Sequence, residues 1–127
     1  MGETAKARRL YEEVIEGKTA QLGGSHTGTL AAKGNLALVL PHMGETAEAR
    51  RLYEEVIEGE TAQLGGSHTR TLQTRVFFAV FLANSGDLTA SKMAMDELHA
   101  ISAKHHGTDH SMTQRIAGLV DKLGSML

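Results

Sequence analysis

Cysteine and tryptophan are absent from this chain, and proline occurs once. Without cysteine there is no disulfide and no thiolate metal site. Aromatic residues make up 4%, too few for a dense aromatic core. No run of like charge stands out, and a net charge of -2 gives no electrostatic footprint for nucleic acid. The longest apolar run, Val76 to Ala83, is far short of the about 20 residues that cross a bilayer. Met1 to Leu10 is polar and charged, unlike the apolar heart of a secretory signal. No partner nucleic acid or membrane is expected, and a soluble cytoplasmic protein is the default.

Catalytic patterns are missing as well. There is no G-x-S-x-G, and Gly23-Gly24 and Gly65-Gly66 lack the lysine and spacing of a phosphate-binding loop. No enzyme and no cofactor is expected. What remains is a chain of 127 residues, 41% hydrophobic and 22% charged, the composition of one folded domain. Its fourteen glycines imply recurrent turns between helices.

The main positive feature is a repeat. Residues 1–30 return as residues 43–72 with three differences: Lys6/Glu48, Lys18/Glu60 and Gly28/Arg70. A diverged third copy keeps the offset of 42, with Ser85-Gly86-Asp87 in the place of Met43-Gly44-Glu45 and Gly107-Thr108-Asp109-His110 in that of Gly65-Gly66-Ser67-His68. A fixed period without insertions implies units stacked side by side.

Each unit holds two helices. Ala49, Leu52, Tyr53, Val56 and Ile57 recur at spacings of three and four and make one buried stripe. Arg50, Arg51, Glu54, Glu55 and Glu58 form a solvated opposite face, with Arg50–Glu54 and Arg51–Glu55 as i,i+4 pairs. The pattern predicts six helices, at about 4–22, 27–42, 46–64, 69–85, 88–105 and 109–125. Thr27, Thr69 and Ser111 are the expected N-caps, and Gly44 and Gly86 the left-handed helix ends. Pro41 predicts a kink or a tightened last turn, and Gly59 a bend or a frayed end. Pairs 23–64 and 65–106, flanked by half-repeats 1–22 and 107–127, would form one repeat domain. Its architecture would be all-α, a right-handed superhelical solenoid of antiparallel helix pairs.

These residues resemble a known family. Gly23-Gly24-Ser25-His26-Thr27-Gly28-Thr29-Leu30, then Asn35-Leu36-Ala37-Leu38, then Gly44 through Glu55 are similar to the longer tetratricopeptide repeat of kinesin light chains. Leu36, Ala37, Leu40, Ala49, Tyr53 and Val56 match its large and small packing positions. In the third copy Ser91, Ala94 and Met95 replace Ala49, Leu52 and Tyr53, which predicts looser packing, and Asp121 replaces Ala37/Ala79, which argues against close burial there.

The resemblance implies a protein-binding scaffold that takes an extended or helical peptide in a concave groove lined by the first helix of each pair. The groove candidates are Asn35, Leu38 and His42, then Gln73, Val76, Phe77, Val80 and Asn84, then Arg115, Leu119 and Lys122. Asn35 matches the family's groove asparagine, but Phe77 and Leu119 follow it, so there is no asparagine ladder. The Lys/Asn clamp of the chaperone-binding members is missing, and capture of a free C-terminal carboxylate is not expected. Arg115 and Lys122 would tolerate an acidic partner segment. Val76, Phe77 and Val80 make an apolar surplus with three readings: a docking patch, a helix buried on both sides, or a self-association surface.

His26, His68 and His110 recur with the unit, which favours a structural role, while the cluster of His105, His106 and His110 raises a metal site against it. Residue 127 returns to the phase of Met1, since 1 + 3 × 42 = 127. Helix 4–22 and helix 109–125 therefore lack their usual neighbours. The chain is a fragment of a longer array, a self-contained protein with capping helices, or a unit that pairs head-to-tail with its own kind and so forms rings or filaments.

Overall fold

The computed structural model describes residues 2–126. Among them are six α-helices and no strand: α1 (Gly2–Leu22), α2 (Thr27–Val39), α3 (Thr46–Leu64), α4 (Thr69–Asn84), α5 (Leu88–His106) and α6 (Ser111–Met126). The all-α helical repeat read from the periodicity is the fold found. No helix among the described residues is long and apolar enough to cross a membrane.

Pro41 acts at the end of α2 through its missing N–H. The α-helical ladder stops at Val39 and the chain tightens into a 3-10 turn over Leu40–Met43. Gly44, at φ 78°, then ends the turn in the left-handed region, where its N–H donates to the Pro41 carbonyl at 3.1 Å.

Contacts gather the chain into two compact units, Met1–Gly65 and Gly66–Leu127. In the first, α1 packs on α2 and α2 on α3. Its core contains Leu30, Leu36 and Ala37 of α2 with Ala49, Tyr53 and Val56 of α3, all buried. Gly59 is not a frayed end, because α3 runs through it to Leu64. A Cβ there would lie 2.7 Å from Leu30 Cδ1, so glycine makes the slot that receives Leu30. Gly17, the same position in α1, has nothing within 4 Å of its Cβ direction.

Ion pairs connect helices at the surface of this unit. Arg8 Nη2 donates to both carboxylate oxygens of Glu48, at 2.8 and 2.7 Å, joining α1 to α3. Glu48 is one of the three differences between the near-identical copies, so the exchange against Lys6 supplies the acceptor for Arg8. Those hydrogen bonds raise the guanidinium pKa still further. On the outer face Arg50 Nε lies 3.9 Å from Glu54, whereas Glu55 receives Lys33 of α2 at 3.1 Å.

In the second unit, α4 packs on α5 and α5 on α6. Leu72, Val76 and Ala79 meet Met95 and Leu98, and Met112, Ile116 and Leu123 complete the cluster. Val76 is therefore a core residue at 4% exposure, not an open groove position. The first copy has Gly34 there, so the extra side chain is taken up in packing. Loose packing around Ser91 is likewise not what the chain does. Ser91 is fully buried and its hydroxyl donates to the Ala79 carbonyl at 2.6 Å, while Ser102 and Thr113 share a hydrogen bond of 2.6 Å. Arg75 and Glu97, 3.4 Å apart, repeat the Lys33–Glu55 pair one period later. Asp121 is exposed, as its replacement of alanine implied.

Two matched substitutions test the glycine slot. Gly17→Ala should raise the melting temperature, since helix propensity gains about 1 kcal/mol in open space. Gly59→Ala should lower it, because overpacking against Leu30 costs about 1–3 kcal/mol and outweighs the same gain. Burial also raises the Tyr53 phenol from 10 to about 12. The unfolded chain then loses this proton first, so stability falls as pH rises from 10 towards 12. Alkaline unfolding followed by circular dichroism should be shallower over that window in Tyr53→Phe.

Candidate functional site

Helix geometry divides the first helix of each copy into packed and free faces. Residues three, four and seven apart lie on one side of a helix. On α2 and its 3-10 extension, Asn35, Leu38 and His42 follow that spacing and are all exposed. On α4 the same phase carries Gln73, Phe77, Val80 and Asn84, and on α6 Arg115, Leu119 and Lys122.

These candidates divide by burial. Gln73, Phe77, Asn84, Arg115 and Lys122 are exposed, whereas Val80 and Leu119 are half-buried and lean on the second unit's core. Phe77 at 37% exposure on α4 and Leu38 at 39% on α2 are the large apolar side chains left on the free face of each helix. Val76 falls outside it, one position round the helix and inside the core. The surplus seen in Val76, Phe77 and Val80 thus reduces to a ring with a half-buried valine beside it. Phe78 stacks on Phe81 with centroids 6.0 Å apart and so belongs to packing.

What the free faces of each unit offer chemically is modest and mixed. In the first unit Asn35 presents a donor and an acceptor on one carboxamide; in the second, Phe77 presents a ring, and Arg115 and Lys122 present cations beside the exposed Asp121.

The recurring histidines have a definite structural job. His26 Nδ1 accepts the Gly28 N–H at 3.0 Å, His68 Nδ1 the Arg70 N–H at 3.1 Å, and His110 Nδ1 the Met112 N–H at 3.1 Å. Each satisfies one of the donors that a helix start leaves open. The caps of α2 and α4 are therefore His26 and His68, one residue before the expected Thr27 and Thr69, and His110 makes the same bond ahead of Ser111. An imidazole Nδ1 stands as close to its backbone as an asparagine oxygen, and the exact recurrence of the histidine with the unit was the available signal. Thr29, which was not singled out for this, bonds the Gly23 carbonyl through its hydroxyl at 2.8 Å and holds the turn against α2.

Of the cluster near the end of α5, His106 is tied to the backbone by a different bond. His106 Nε2 lies 2.6 Å from the Ser67 carbonyl, and its ring is 5.0 Å from that of His110. Among the described residues no group of three or more His, Cys, Asp or Glu side chains gathers as a metal-binding set.

Residues 1–61 match the family model of the tetratricopeptide repeat. The match supports a tetratricopeptide repeat protein. Because residues 43–72 reproduce residues 1–30 at all but three positions, the repeat extends past the matched segment. Tetratricopeptide repeats are in general non-catalytic scaffolds for protein–protein interaction. No curated protein matches the chain.

Replacing His68 by alanine should cost about 1 kcal/mol of stability, the usual loss for an N-cap, while asparagine should largely preserve it. Chemical denaturation of the two variants separates these outcomes.

Proposed function

We propose that this protein is a binding scaffold of the kinesin-light-chain-like repeat type, taking a peptide or helix of a partner protein on the free face of its first-type helices. One observation carries this reading. A free face recurs at the 42-residue period on each of α2, α4 and α6, and its residues differ from copy to copy, while Leu30, Ala37 and Leu40 on the packed side return as Leu72, Ala79 and Leu82. Leu36, Ala37 and Leu40 become Phe78, Ala79 and Leu82, but Asn35, Leu38 and His42 become Phe77, Val80 and Asn84. A free face whose chemistry changes from copy to copy is what a recognition surface needs.

The chemistry of that face favours an apolar anchor against Phe77 and an acidic stretch near Arg115 and Lys122. A catalytic role has no support in any group of side chains described above, and a cytoplasmic adaptor is the setting we assign. Head-to-tail self-assembly through α6 is the competing role, and the exposed Asp121 and Lys122 weigh against it, since a stacking face is apolar.

A peptide array probed with the intact chain should yield binders whose signal falls at least tenfold with Phe77→Asp and, more weakly, with Leu38→Asp, at unchanged helical content. Retained binding in both variants would place recognition elsewhere.

A further inference from the structure

Each first-type helix has a histidine at its start, but the third stands in different surroundings. His26 and His68 are exposed, whereas His110 is half-buried with the ring of His106 beside it, 5.0 Å away and tilted by 35°. One and two periods before His106 the chain has Leu64 and Leu22. Leu22 Cδ1 and His26 Nδ1 both lie 3.3 Å from where a Cβ on Gly28 would stand, so in the first copy a leucine meets the cap. The third copy sets a second titratable ring in that place.

Hydrogen bonding limits the protons this pair can hold. His110 Nδ1 accepts the Met112 N–H at 3.1 Å, so its lone pair is in use and the ring stays neutral, with its proton on Nε2. A carbonyl only accepts, so His106 donates from Nε2 to Ser67 at 2.6 Å. That bond survives whether or not His106 Nδ1 carries a proton. Closed in this way, the junction of α4, α5 and α6 takes at most one of the two protons that the rings would carry in acid. A second proton breaks the cap, puts a cation on the positive end of α6, and sets two like charges side by side.

On the segments that meet here, the other charged or titratable residues are Lys104 and His105 on α5, Asp109 in the turn, Arg115 on α6, and His68 and Arg70 at the start of α4. All are exposed, so water and salt screen them, Asp109 included. Farther along, His99 is half-buried two turns before His106, and Arg75 pairs with Glu97.

The geometry points to an acid-released latch made of His106 and His110: as pH falls through the range in which histidine takes up its proton, about 8 to 5, the first turn of α6 comes away from α5 and the start of α4. The closed junction binds fewer protons than the open one, so its stability is present at high pH and lost as pH falls. A difference of one proton raises the opening equilibrium by up to about tenfold per pH unit. Met112 and Thr113 are buried in that turn and enter water with it, Thr113 leaving its hydrogen bond to Ser102. Arg115 lies in the next turn, so acid would also loosen the cationic part of the free face; that consequence rests on the proposed binding role, whereas the latch does not.

Hydrogen exchange of the intact chain, read by NMR as protection relative to an unstructured peptide at the same pH, tests the latch. The probes are the first helical bonds behind each cap, from Leu30 to His26, Leu72 to His68 and Gln114 to His110, at 2.9, 2.9 and 3.0 Å. From about pH 7.5 to 5.5, within the histidine range, protection of Gln114 should fall at least tenfold, and further than that of Leu30 or Leu72. His110→Asn keeps a cap acceptor that takes no proton, and should leave the Gln114 amide unchanged by pH. His106→Leu restores the residue of the first two copies and should reduce the fall to that of the other two amides. Equal falls at the three amides of the unaltered chain, or a fall at Gln114 that survives His110→Asn, overturns the inference.

Discussion

Everything in the first unit depends on how closely two helices can approach along one seam. Gly59 leaves the space that Leu30 fills, and Ala37 and Ala49 are both fully buried. Small residues on both sides bring the helices together, and only then do Leu36, Leu40 and Tyr53 bury enough apolar surface to hold the pair. The second unit reaches the same end with different pieces. Val76 replaces Gly34, Ile101 replaces Gly59, and a serine stands in for Ala49, its hydroxyl satisfied by a carbonyl of the facing helix. A buried hydroxyl without that partner would cost stability, so the diverged copy keeps the packing by adding a hydrogen bond.

The electrostatic ties follow the same period. Lys33–Glu55 and Arg75–Glu97 occupy one position of the repeat, with lysine exchanged for arginine. Both pairs are largely at the surface, where each contributes little to stability. Their value lies in orientation, because they mark which helix lies on which. The histidine caps are a third recurring device. They fix where each first-type helix begins.

The proposed recognition uses positions that packing leaves alone. Asn35, Leu38 and His42 on one helix and Gln73, Phe77 and Asn84 on another are free because their neighbours already satisfy the core. Such a face suits adaptable, mixed recognition.

Much of this was written in the sequence itself. A 42-residue offset and a three-and-four spacing of apolar residues determine helix number, type and approximate bounds, because helical periodicity is a local property of the chain. Pro41 and Gly44 likewise act within a turn of themselves, and their effects were legible. The tertiary structure alone decided the rest. Val76 and Phe77 are adjacent and both apolar, yet one is core and the other exposed, since burial depends on which helix lies opposite. Gly59 and Gly17 are one residue type in one local sequence, and only the presence of Leu30 gives the first its role. Val14 and Val56 make the point most directly: identical neighbours along the chain, opposite exposure, because contact is made across space.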